Sequence, residues 1–305
     1  MSHNHTHNDN EQSKSNLIIT MLLNFLITIV EIIGGILSGS LSLISDALHN
    51  FSDGVSIIIT YIAILLSKKP RTLKYTFGLK RAEILAAIIN SSTLIIISFY
   101  LIKEAIERLY SPTPVTGTLM LIVASAGLVA NALGTFLLRK GAKGNINVRA
   151  AYFHLLSDAI SSVAVIVGSI FIIFLNIYWV DPLLTILISL YILKEAYSII
   201  KEAVDIIMMS SPHDIDLQKV KKIIEGIPEV KNIHHVHIWK LNDNDIHFES
   251  HIEVEDTLIS NTILIQKSIE DKLHKAFDIN HFTLQFECDK CADKGLVQNH
   301  NKSII

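Results

Sequence analysis

The sequence predicts a polytopic α-helical membrane protein: six transmembrane helices followed by a C-terminal cytosolic α+β domain. Three observations carry this. Half of the 305 residues are apolar and only 18% are charged, a balance foreign to ordinary soluble domains. Six stretches (17–37, 41–66, 82–103, 118–138, 150–174 and 181–200) reach the roughly 20 apolar residues that a span requires. After about residue 210 the composition turns soluble.

The chain opens on the polar segment MSHNHTHNDNEQSKS, which lacks the basic start and short apolar core of a cleavable signal peptide. Residues 1–16 are expected to form a cytosolic tail. Its alternating His3, His5 and His7 suit weak capture of Zn²⁺, against the simpler reading of a solvated tail. Across 17–209, Gly and Pro punctuate the gaps between spans, as in Ser38-Gly39-Ser40, Ser111-Pro112-Thr113-Pro114 and Asp181-Pro182. Connection 67–81 holds six Lys/Arg and 139–149 holds four, whereas 38–40, 110–117 and 175–181 hold none. That asymmetry places the basic loops in the cytoplasm and, with an even number of spans, both termini with them. The lysines of 67–81 are expected to hold that loop at the inner leaflet.

Residues 210–288 read as an α-β-β-α-β unit. A helix starts at Asp214 or Asp216, buries Val220, Ile223, Ile224 and Ile227, and stops near Gly226-Ile227-Pro228. Of the two strands that follow, 246–255 alternates, with Ile246, Phe248, Ile252 and Val254 on one face and His247, Glu249, His251 and Glu253 on the other. A helix at 260–276 and a strand at 281–287 complete a small open sheet with helices on one face. The tail 289–305 has no periodicity, and the cysteines Cys288 and Cys291 form a CxxC where it begins. Two neighbouring cysteines cannot frame a secreted scaffold; they fit a soft-metal or redox role in a reducing compartment.

The chemistry lies inside the membrane. In span two, positions 46, 49, 50 and 53 share one helical face, so Asp46, His49 and Asp53 align among Leu, Ile, Val and Phe. Span five repeats the arrangement with His154 and Asp158. These are the only two histidines between 17 and 200, and each has an aspartate four residues on. A charged side chain at membrane depth costs at least ~2.5–3.5 kcal/mol, so such residues mark a site or pathway. The bland reading makes each pair a structural hydrogen bond. The sharper one brings His49, Asp53, His154 and Asp158 together on one cation. Two imidazoles and two carboxylates suit tetrahedral Zn²⁺, and Co²⁺ or Cd²⁺ by close chemistry, whereas Ca²⁺ or Mg²⁺ favours an all-oxygen cage. Asp46 fits a structural role or a direct ligand equally.

Two Asp⁻ and one Zn²⁺ sum to zero, while the empty site carries −2 unless protons replace the metal. Imidazole, with a reference pKa near 6.5, competes with the metal through one lone pair. A site that is either metallated or protonated is a metal/proton exchanger. An intramembrane zinc hydrolase needs an open coordination position and a base, commonly in HExxH; there is no HExxH, and four protein ligands would close the site. The chain therefore reads as a transporter and not an enzyme. A passive channel needs several weak sites. Without a basic run carrying aromatics, nucleic acid is not an expected partner.

The two HxxxD pairs, the stretch SLSLISDALHNFSD around the first, and YTFGLKRAEILAAIIN at the start of span three resemble the cation diffusion facilitator family over nearly the whole chain. The His/Asp pair in span two resembles its zinc/cobalt/cadmium branch. The resemblance implies a homodimeric exporter of cytosolic Zn²⁺, with Co²⁺ or Cd²⁺ as other cargo, exchanging it for H⁺ or K⁺ by alternating access. It implies residence in a cell membrane, and the compact loops lean bacterial. The implied transport ligands are His49, Asp53, His154 and Asp158. The C-terminal domain is then similar to a ferredoxin-like metallochaperone fold that binds Zn²⁺ near a dimer interface, and His234, His251 and Glu287 match its ligands. Asn280 precedes His281 where some members place a further histidine, and Leu264 stands where another is expected. His235 and His237 stay open between ligand and solvated side chain, and His247 and His274 are expected on a solvated face. Asn24, Glu31 and Asn131 fit polar positions of the family, equally explained by hydrogen bonds between helices.

Overall fold

The computed structural model describes residues 5–139, 146–242, 245–289 and 295–297. Among them six helices are long and apolar enough to cross a membrane: α1 (His5–Ser38), α2 (Leu41–Ser67), α3 (Ala82–Tyr110), α4 (Gly117–Leu138), α5 (Ile146–Leu175) and α6 (Val180–Ile207). All six predicted spans lie within these helices, but several ends differ. Helix α1 begins at His5, not 17: the polar residues before the span contain no Gly or Pro, so the backbone continues its hydrogen bonding into water. Hydropathy locates the lipid, not the helix end. Helix α3 likewise runs past the predicted 103, its last turns carrying the i,i+4 pairs Lys103–Glu107 and Arg108–Glu104 that support helix in a polar setting. His3, Cys291 and most of the tail lie outside the described residues, so the readings made of them do too.

The chain divides into two compact units, Met1–Tyr61 with Ala87–Ile200 and Ile62–Ala86 with Lys201–Ile305. In the first, Met120, Val123 and Ala124 of α4 pack with Leu43 of α2 and with Val165 and Ile172 of α5. Leu94 of α3 meets Ile192 and Ala196 of α6. One polar knot ties α2 to α6. Asp181, fully buried, accepts hydrogen bonds from Ser40 Oγ (2.6 Å), Ser42 Oγ (2.6 Å), Leu41 N (2.8 Å) and Ser42 N (3.2 Å). The first turn of any helix has unsatisfied N–H groups, and here a neighbouring helix supplies the acceptor.

The second unit holds α7 (Leu217–Glu225), β1 (Val230–Lys240), β2 (Ile246–Val254), α8 (Ile259–Phe277) and β3 (His281–Glu287), the predicted order. Asp216 caps α7, its side chain accepting from Gln218 N. The sheet runs β1-β2-β3, with β1 antiparallel to β2 and β3 parallel to β2. Ile233, Val236, Ile238, Phe248 and Ile252 join Val220, Ile224, Ile269 and Leu273 in its core. Ile233 and Val236 are three apart, so strict alternation cannot put both inside. A register shift between His234 and His237, with His235 at φ 52°, inserts the extra residue that allows it.

Lys80 of the basic loop pairs with Asp245 at 2.7 Å. One sequence expectation changes within this unit. His247 is buried rather than solvated: Trp239 stacks on it, Phe77 meets it edge-on and His281 lies beside it. That burial, helped by His281, lowers the His247 pKa below the ordinary 6.5, because a dry setting disfavours the charged ring. His274 is exposed as expected.

Candidate metal centre

Helices α2 and α5 bring their His–Asp faces together. Asp53 Oδ2 lies 3.6 Å from His49 Nε2 and 3.3 Å from His154 Nε2. Asp158 Oδ2 lies 3.5 Å from His154 Nε2. The two imidazoles stand edge to face, their centroids 5.9 Å apart. One ligand atom each from His49, Asp53 and His154 fits within 4.8 Å of the others, and Asp158 adjoins this trio through His154.

His49 and Asp158 are buried, and His154 and Asp53 are half-buried, so the cluster is sheltered on one side and approachable on the other. Neither Asp53 Oδ2 nor Asp158 Oδ2 has a hydrogen-bond partner among the described residues. Buried carboxylate oxygens are rarely left this way without a reason. Asp46 does not join the trio; its Oδ1 accepts from Ser161 Oγ at 2.8 Å. Glu31 accepts from Asn50 Nδ2 at 3.3 Å. Ser161, Asn50 and Asp181 were not singled out from the sequence. Hydroxyls and amides are frequent in membrane helices, and only the helix contacts distinguish these.

A second cluster sits on the cytosolic sheet. Strand pairing sets His234 opposite His251 and Glu253 opposite Glu287, and the ligand atoms of His234, His251 and Glu287 fall within 4.8 Å of one another. His251 Nδ1 contacts Glu287 Oε1, and His234 Nε2 lies 3.9 Å from the same oxygen. His234 Nδ1 meets Asn232 Oδ1 at 3.1 Å. Nδ1–H donating there leaves the Nε2 lone pair for a ligand-binding role, the usual way in which an outer partner orients a metal-binding imidazole. His234 Nε2 and Glu287 Oε2 are buried without hydrogen-bond partners among the described residues, so the donor set fits a cation such as Zn²⁺. His235 stacks on His251 and meets His237 edge-on, and neither belongs to the trio. Cys288 is exposed beside Glu287.

Two family models match the chain: the cation efflux transmembrane domain over residues 17–208, and the cation efflux protein cytoplasmic domain over 212–288. The cadmium, cobalt and zinc/H(+)-K(+) antiporter of Bacillus subtilis (strain 168) is 39% identical, covering 100% of this chain and 96% of its own. The zinc transporter ZitB of Pectobacterium atrosepticum is 37% identical, over 96% of this chain and 91% of its own. Among solved structures, the metal-bound C-terminal domain of the CzcD transporter from Cuprividus metallidurans is 34% identical over 24% of this chain and 99% of that one, with a TM-score of 0.22.

Proposed function

The chain belongs to the cation efflux family, the cation diffusion facilitators, and from that premise we propose that it is a secondary transporter exporting Zn²⁺ from the cytosol in exchange for H⁺. It is an integral, multi-pass membrane protein. The observation that carries the reading is the meeting of two histidines and two aspartates from α2 and α5 in the membrane-spanning unit. Relatives named for cadmium, cobalt and zinc antiport and for zinc transport support the same cargo, with Cd²⁺ and Co²⁺ as alternatives to Zn²⁺.

His49, Asp53, His154 and Asp158 hold the cargo in tetrahedral N2O2 coordination. The two carboxylates cancel its charge, so the loaded site carries no net charge in surroundings where a net charge is expensive. Emptying it exposes −2. Protons entering from the far side supply the compensation: the imidazoles take them at the nitrogens the metal leaves, which makes departure of the metal and arrival of protons one exchange. Alternating access then opens the site to one face at a time. The basic loops support a cytoplasmic location for both termini. The cytosolic domain pairs with that of a second copy, and His234 of β1, His251 of β2 and Glu287 of β3 would hold a resident Zn²⁺, which would supply a structural cross-link between those strands.

Reconstituted vesicles test the exchange. An imposed pH gradient, acidic inside, is expected to drive Zn²⁺ inwards through protein facing that way, with protons leaving as zinc enters. Zinc uptake indifferent to that gradient and to added K⁺ overturns the coupling. For the cytosolic ion, Zn²⁺ is expected to raise the thermal midpoint of the wild-type protein in detergent. His251→Ala should lose most of that zinc-dependent rise, because ligand binding stabilises only a folded site. An equal rise in the variant removes His251 from the site.

A further inference from the structure

The tail that follows β3 returns to the sheet beside the cytosolic metal cluster. The sheet order leaves β1 on an edge, where Gly295 O and Leu296 O accept hydrogen bonds from His235 N (3.3 Å) and Val236 N (2.9 Å). Leu296 also packs against the core of the domain. In a regular strand successive N–H groups point to opposite edges, so a neighbouring segment receives every second one. Here two in succession meet the tail. The left-handed backbone of His235, at φ 52°, turns them to the same side.

Those two residues are the bulge. Strand β2 sets His251 opposite His234 and Glu249 opposite His237, so His235 and Val236 together face the single Ser250. Val236 is buried, and a buried N–H without an acceptor is costly; the tail carbonyl meets that need. A histidine at positive φ is a sparsely populated state that persists only where the surrounding structure holds it. The bulge in turn touches the metal cluster on two sides. His234 immediately precedes it, and the His235 ring stacks on that of His251, with centroids 4.7 Å apart and planes 10° from parallel. Tail, bulge and two of the three metal-binding side chains thus form one run of direct contacts.

We propose that Gly295 and Leu296 form a strap that positions His234 and His251 for zinc, so that attachment of the tail to β1 sets the affinity of the cytosolic site. The inference rests on the reading of His234, His251 and Glu287 as zinc ligands. With the strap attached, the donors are held in place before the ion arrives, and little ordering remains to oppose binding. With the strap detached, the bulge is free to relax towards a regular strand. Removing a one-residue irregularity reverses the faces of the side chains on one side of it, so His234 and the His235–His251 stack lose their register together. Gly295 and Leu296 offer no side chain to the metal. They are positioning residues, acting through the backbone of β1.

The test is calorimetric titration of Zn²⁺ into the protein in detergent, with Asp53→Ala and Asp158→Ala present throughout so that the transport site does not contribute. His251→Ala in the same background defines the binding that belongs to the cytosolic site. A chain ending at Lys294 keeps both cysteines and loses the strap; it is expected to weaken that binding roughly tenfold, the scale for disturbing a metal's outer partners. Leu296→Asp keeps the full length, sets a charge against the core and is expected to do the same, whereas Leu296→Met should bind as the unsubstituted chain does. Leu296→Ala is the milder substitute if the first two are not recovered folded. Melting midpoints separate positioning from mere support: the zinc-dependent rise should shrink in the strap variants. Midpoints that fall equally with and without zinc, at an unchanged dissociation constant, overturn the proposal. Failure of the underlying reading looks different, because His251→Ala would then bind zinc as tightly as its parent.

Discussion

Replacing Asp53 and Asp158 together by alanine is expected to bring zinc-driven proton flux down to that of protein-free vesicles, a loss on the order of 100-fold or more. Altering a metal's outer partners already costs 10–100-fold, and here two direct ligands and both compensating charges go. The imidazoles of His49 and His154 remain, but a dication held by neutral ligands alone in a low-dielectric site has nothing to repay its lost hydration. The same change should not harm folding. Neither Asp53 Oδ2 nor Asp158 Oδ2 receives a hydrogen bond among the described residues, so their removal orphans no hydrogen-bond donor and takes costly charge out of the interior. Flux assays on protein with a wild-type elution profile and melting midpoint decide the matter. Zinc uptake that survives the double substitution removes the proposed mechanism.

The second large effect concerns stability rather than transport chemistry. Asp181→Ala deprives Ser40 Oγ, Ser42 Oγ, Leu41 N and Ser42 N of their shared acceptor in a fully buried position. The hydroxyls can turn elsewhere, but the two backbone N–H groups of the first turn of α2 cannot. At roughly 1–3 kcal/mol for each orphaned group, the expected loss is about 3–5 kcal/mol. Asp181→Asn keeps a carbonyl acceptor and should lose clearly less. Unfolding of the solubilised protein by heat or by SDS measures both. An alanine variant that melts with the wild type means that water replaces the carboxylate and that the knot contributes nothing.

How much of this was legible in the sequence depends on whether the signal is local. The six spans were readable because lipid imposes length and apolarity on each helix independently of its neighbours. The alternation of Phe248, Ile252 and Val254 fixed a strand for the same reason: one face of a pleated strand must be dry. His49, Asp53, His154 and Asp158 stood out because ionisable groups are so improbable at membrane depth, and the i,i+4 spacing put each pair on a single face. The polar extension of α1 ahead of its span was not legible, because hydropathy does not report where a polar helix ends.

What distinguished other residues was contact alone. Asp181 reads as an ordinary aspartate before a proline until two serines and two backbone amides are seen to converge on it. His247 alternates to the polar face of its strand, yet Phe77 and Trp239 cover it. The irregular register after His234 gives no sequence signal, because a histidine at positive φ is held there by the surrounding sheet and not by its own preference. By itself, then, the sequence determined which residues are apolar, which face each helix or strand buries, and which four groups are too polar for the membrane to tolerate without purpose. Only the tertiary structure decided which faces meet, because pairing depends on shape and hydrogen-bond partners supplied by segments more than a hundred residues apart in the chain, such as Ser40 and Asp181 or Asp46 and Ser161.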